Sequence, residues 1–251
     1  MSTPCATIDD VVARLATIES TCLARGDRRS IFATLYGIVT REIRDKTAAG
    51  AFHDNAWVRA YAVGFANLYF RAFDGHEEGR PADVPKAWRL AFDASASGRT
   101  IVLQELLLGV NAHINNDLPF AIASVRIDPD REARHRDHLA VNQVLSGVTE
   151  RATARLAALY APGLRTLDAA AGQLDELLGQ FAIEVARDNA WEGAVSLTNA
   201  RDARERELVA TMIGARAGVL ARLIRSVSLS PALIAVCRSI EAGTAFQTIV
   251  A

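Results

Sequence analysis

Apolar residues return every three or four positions along nearly the whole of this 251-residue chain, and no stretch sustains a strict in-and-out alternation. A helix that buries one face shows a period of about 3.6 residues, whereas a half-buried strand needs a period of two. The pattern leaves no room for a sheet. Asn-Gly hairpin turns are absent, and abundant Ala, Leu and Arg favour helix. The chain is expected to be all-α.

Caps and breakers divide it. Thr7 and Asp10 have the spacing of a capping box, and Gly26 is placed to close the first helix. A second helix is expected from about Arg29 to Gly50. A third starts at Asp54 as N-cap and ends near Gly75. Gly79, Pro81 and Pro85 mark a loop, and Lys86 to Ala96 a short helix. A long apolar helix runs from Thr100 to Asn116, and Pro119 kinks or restarts it. Glu132 to Tyr160 reads as one helix, bent near Gly147 and broken at Pro162-Gly163. Segments from Thr166 to Leu197 and from Ala203 to Ser226 follow. Ser230-Pro231 begins a last helix that Gly243 stops. No linker separates two cores. The expectation is a single-domain bundle of eight to ten helices over residues 1–251, the alternative being a break near Pro129 or Pro162.

Lys and Arg total 28 against 29 Asp and Glu, a formal net charge of −1. A nucleic-acid binder would carry a basic excess or stripe, and the run from Arg201 to Glu207 is mixed in sign, so no nucleic-acid partner is expected. Cys5, Cys22 and Cys237 are too few and too scattered for a disulfide framework or a Cys-ligated metal. The N-terminal residues lack a basic and an apolar signal region, and no run of about 18 apolar residues offers a membrane span. A cytoplasmic protein is expected, with a homodimer compatible with the sequence.

The apolar run Leu106-Leu107-Leu108-Gly109-Val110 passes into Asn111-Ala112-His113-Ile114-Asn115-Asn116-Asp117 and then Leu118-Pro119. On a helix, His113 and Asp117 lie one turn apart on one side, and Val102 and Leu106 share that stripe, so the pair faces the interior. Gly109 costs roughly 1 kcal/mol of helix stability relative to Ala, and makes room for a neighbouring helix or a ligand. Buried polar groups left unpaired cost on the order of 1–3 kcal/mol. The pair must therefore bond into a core network, bind a metal, or act as an acid–base dyad.

Other residues bear on that choice. Asp54 is an N-cap, and His53 beside it is either a surface residue or a second base or ligand. His53, His113 and Asp117, with His135 or His138, are the candidates for a divalent metal, for which zinc needs three or four such groups at about 2.0–2.2 Å. Trp57, Tyr61, Phe65 and Leu68 form a helical stripe, with a Tyr61 hydroxyl and an Asn67 amide to satisfy. His138 and Asn142 share a face, and Asn142 is a candidate partner of the His113–Asp117 pair. Arg187 and Trp191 share a face of an alanine-rich helix, where Arg187 either pairs within the helix or meets an anion. The catalytic candidates are His113, Asp117, Asn142 and Arg187; the binding candidates are His53, Trp57, Tyr61, Asn116 and Trp191.

The segment from Gly109 to Pro119, with Phe52-His53-Asp54-Asn55-Ala56-Trp57-Val58 and Asp137-His138-Leu139-Ala140-Val141-Asn142, resembles an all-helical bacterial family of unknown function. The resemblance covers most of the chain, and its most specific part is Asn-Ala-His-x-x-x-Asp-Leu-Pro. It implies a helical fold and no activity. A remoter similarity is to zinc-dependent phospholipase C and the S1/P1 nucleases, whose His-x-x-x-Asp metal ligands His113 and Asp117 would match. Those enzymes also use an N-terminal Trp and a His-x-x-x-Glu pair. This chain starts at Met1, and its nearest counterpart of the pair ends in Asn142, a poor zinc ligand, which argues against a three-zinc site.

The expected function is a small-molecule enzyme of hydrolase or lyase/cyclase type, with His113 as acid–base group, Asp117 fixing its tautomer and Arg187 on an anion. The alternatives are a metal-dependent phosphoester hydrolase and a non-enzymatic helical module that binds a ligand or partner. Gly-x-Gly-x-x-Gly, the Walker A loop, Gly-x-Ser-x-Gly and His-Glu-x-x-His are all missing, so no nucleotide cofactor is expected.

Overall fold

The structure, a computed structural model, describes residues 3–160, 183–226 and 241, and these form an all-α bundle with no strand among them. Its first helix, α1 (Ile8–Ala24), begins as the spacing predicts. Thr7 Oγ1 accepts from the Asp10 amide at 3.1 Å, and the Asp10 carboxylate accepts from the Thr7 amide at 2.8 Å. Gly26 follows with φ +64°, a left-handed turn that favours glycine. Helix α2 is Ser30–Ala48 and α3 is Asn55–Glu77, the latter capped by Asp54, which accepts from the Trp57 amide at 2.8 Å. The helix ends at Glu77, close to the expected stop near Gly75. Gly75 lies inside α3, where a Cβ would sit 3.1 Å from Val84, so its job is close packing. The left-handed turn falls at Gly79 instead.

Helix α4 (Lys86–Ser97) leads to α5 (Val102–Asn111). The long helix expected from Thr100 does not stay α-helical to Asn116. From Ala112 to Asp117 it widens into a π turn, then resumes as α6 (Leu118–Ser124). Pro119 stands where the α-helix restarts after the wide turn, as expected. It occupies the first turn of α6, where its missing N–H is tolerated, and the wide turn before it relieves the clash a proline makes with the carbonyl four residues back. Helix α7 (Arg131–Tyr160) continues through Gly147, and α8 (Ile183–Asn199) and α9 (Ala203–Ser226) complete the described chain. The expected features at Pro162-Gly163, Thr166, Ser230-Pro231, Cys237 and Gly243 lie outside the described residues.

The two largest apolar clusters make up most of the core. One gathers Leu15, Phe32, Tyr69, Trp88 and Leu108 from α1 to α5; the other gathers Trp57, Tyr61, Leu118, Ile122 and Trp191 from α3, α6 and α8. The π turn touches α3, α4, α5, α6, α8 and α9, so its polar residues lie between the two clusters. Gly109 does make room, and the occupant is a side chain of this protein: a Cβ there would fall 2.6 Å from the Phe32 ring. Asn67 on α3 finds its partners in the N-terminal segment, bonding both the amide and the carbonyl of Cys5 at 2.9 and 3.0 Å.

Candidate functional site

The π turn places an imidazole and a carboxylate in the interior. His113 is 3% exposed and Asp117 2%, and His113 Nδ1 lies 3.2 Å from Asp117 Oδ2. Two more donors converge on the carboxylate. Trp88 Nε1, reaching in from α4, donates to Oδ2 at 2.7 Å, and Asn116 Nδ2 donates to Oδ1 at 2.8 Å. The Asp117 side chain is thus held by three neighbours, and its orientation is fixed.

His113 lies in an aromatic box. Its ring stacks on Phe65 with centroids 3.4 Å apart and 7° between planes, while Tyr36 and Phe32 present edges at 4.4 and 5.5 Å. Its Nε2 is buried and has no hydrogen-bond partner among the described residues. Burial holds the imidazole below its usual pKa, and the Asp117 bond opposes that shift without cancelling it. The ring is therefore neutral near pH 7. The proton sits on Nδ1, donated to Asp117, and a bare lone pair remains on Nε2. Burial drives the hydroxyl of Tyr36, one wall of that box, well past its ordinary pKa, with Tyr61, Asp117 and Tyr69 adding to the effect.

A second polar cluster centres on Arg187, which is 3% exposed. Its Nε donates to Asn142 Oδ1 at 2.6 Å, and Nη1 to the Tyr61 hydroxyl at 3.2 Å. Nη2 donates to the His138 carbonyl at 2.6 Å and faces His138 Nδ1 at 3.3 Å. In return, His138 Nε2 bonds the Arg187 carbonyl at 3.2 Å. These partners fix one tautomer, with the proton on Nε2 and Nδ1 accepting from the guanidinium. Burial and the adjacent Arg187 charge push the His138 pKa down to about 2, so the ring stays neutral. Trp191 lies against His135 and His138, with ring centroids at 4.6 and 5.4 Å. The two clusters meet through Tyr61 and Phe65, whose rings are 6.3 Å apart.

Of the residues singled out from sequence, His113, Asp117 and Asn116 therefore share one cluster, and Arg187, Asn142, Tyr61 and Trp191 the other. Asn142 is corrected: it serves Arg187 and makes no bond to the His113–Asp117 pair. Trp57 is buried against Tyr61, with ring centroids 5.5 Å apart and its indole N–H without a partner among the described residues. His53 is also corrected. Its ring belongs to an exposed residue, and its backbone amide donates to Asp137 at 2.8 Å. Among the described residues no three His, Cys, Asp or Glu side chains converge as a metal site, so His53, His113 and Asp117 do not form a ligand set. The residue missed from sequence is Trp88. Its pairing spans 29 positions between different helices and leaves no local pattern.

Among known proteins, neither the curated proteins nor the solved structures contain a match to this chain, and the expected likeness to phospholipase C and the S1/P1 nucleases is not shown. A family model does match, over residues 8–227, which takes in α1 to α9 and both polar clusters. The chain belongs to that family, the family of unknown function DUF5995.

Proposed function

We propose that this protein is a small-molecule enzyme of hydrolase or lyase/cyclase type in which His113 moves the proton. The observation that carries this reading is the buried Nε2, without a partner among the described residues, of an imidazole whose other nitrogen is fixed by a carboxylate. Such an atom is a base ready to accept a proton from a bound molecule or from water. Asp117 would hold the tautomer and stabilise the imidazolium once formed, and Trp88 and Asn116 would keep Asp117 in place. The π turn agrees with this, since such wide turns are frequent where helices carry function. The free thiols of Cys5 and Cys22 suit a reducing, cytoplasmic setting.

The test is chemical modification of the folded protein by diethyl pyrocarbonate, mapped by mass spectrometry. His113 is expected to react at Nε2 under native conditions. A His113 that resists until the chain is unfolded would show its lone pair sealed in packing, and the reading would fail.

A second reading, a module that pairs with a copy of itself, draws on α9. Leu208, Met212, Val219 and Leu223 are 60, 64, 47 and 57% exposed, and they share one face of that helix.

A further inference from the structure

Arginines elsewhere in the protein set a standard for Arg187. Arg14, Arg28, Arg29 and Arg134 are each partly buried, and each holds a carboxylate: Asp74, Glu105, Asp27 and Asp54 respectively. Arg187 is buried more deeply than any of these and has no carboxylate within ion-pair distance among the described residues. Its partners are an amide, a phenol, an imidazole and a peptide carbonyl, all neutral. A buried charge is costly unless something of opposite sign offsets it.

The donor count points the same way. A guanidinium offers five N–H groups. Nε uses its one on Asn142, Nη2 uses both on His138, and Nη1 uses one on Tyr61, so one Nη1 proton is left over. The Tyr61 oxygen accepts from Nη1, which leaves its own proton free to donate. Two donors without an acceptor among the described residues thus lie together, one on the guanidinium and one on the phenol that accepts from it. Trp57, packed on Tyr61, adds an indole N–H that is buried and unpartnered among the described residues. The rings of Tyr61 and Phe65 connect this place to His113.

We propose that Arg187 Nη1 and the Tyr61 hydroxyl form the anion subsite of the same reaction centre, and that the substrate is a small organic acid or phosphate ester whose negative oxygens take these two donors. The proposal rests on the acid–base reading of His113 for its role in a reaction, but not for binding. The planar fork and the phenol match two oxygens of one carboxylate or phosphate. The substrate's opposite end would extend along the Phe65 ring toward His113 Nε2.

The experiment is titration calorimetry of the full chain at low salt, with inorganic phosphate and with acetate as separate probes. Saturable binding of at least one is expected, and which one binds tells the phosphate class from the carboxylate class. Tyr61→Phe is expected to weaken it by about tenfold or more, the usual effect of losing a hydrogen bond to a charged group. Arg187→Lys tests the fork in parallel, and Tyr61→Phe carries the test alone if that variant does not fold. His113→Gln is expected to leave the affinity within about twofold, since it removes no donor from the anion. Absence of saturable binding by either probe, or binding indifferent to Tyr61→Phe, would overturn the proposal. Anion binding together with an unreactive His113 would uphold this subsite while ending the acid–base reading.

Discussion

Asp117 shows how a side chain's neighbours decide what it can do. Its two oxygens receive three donors, and the Trp88 indole is the only one of these that comes from another helix. Trp88→Phe removes the N–H together with part of a fully buried indole, so it reports the bond plus the packing lost with it. It is expected to lower stability by about 1–3 kcal/mol in urea unfolding, with the fold retained. A loss near zero would mean that His113 and Asn116 alone satisfy the carboxylate. The pairing of His113 with Asp117 was legible in the sequence, because four residues along a helix are neighbours whatever surrounds them. Gly109 was legible as room. That Phe32 fills the room, and that Trp88 completes the carboxylate's shell, depends on where other helices pack, which a one-dimensional pattern does not contain.

At the level of helices, the ends that carry local chemistry read true. Thr7 and Asp54 cap the helices they precede, because a cap is a bond across three residues. The π turn left no such mark. His113 and Asp117 remain adjacent in either kind of turn, so their spacing is silent about the difference. Helix α9 carries a prediction of its own. Leu208 and Met212 stand four apart, as do Val219 and Leu223, and the two pairs are spaced evenly about Ala215 and Arg216. That spacing is the same from either end, so two antiparallel copies would set Leu208 against Leu223 and Met212 against Val219, as a two-fold interface requires. Sedimentation velocity is expected to show a concentration-dependent dimer that Met212→Glu abolishes. A wild-type monomer at every concentration would remove the self-pairing reading.

Across the whole molecule, the buried histidines set the response to acid. His113 and His138 are neutral in the fold and have pKa values held below that of a free imidazole, His138 at about 2. The unfolded chain takes up their protons as pH falls below about 6.5, while the fold does not. Their contribution is thus complete above that pH and is lost as acidity increases, by up to about 1.4 kcal/mol per pH unit for each ring. Asp27 and Asp54, whose pKa values are lowered in the fold, act in the same direction at lower pH. Glu105, raised by burial, acts against them. The urea midpoint is expected to fall between pH 7 and pH 5, and a flat profile would place these rings in water.

The exchange between His138 and Arg187 has a mechanical side. Each residue grips the other's peptide oxygen as well as its side chain, so α7 and α8 cannot slip past each other by a turn without breaking every one of those bonds together. A movement that carries one of these two helices must therefore carry the other, so the pair would swing as a single lever.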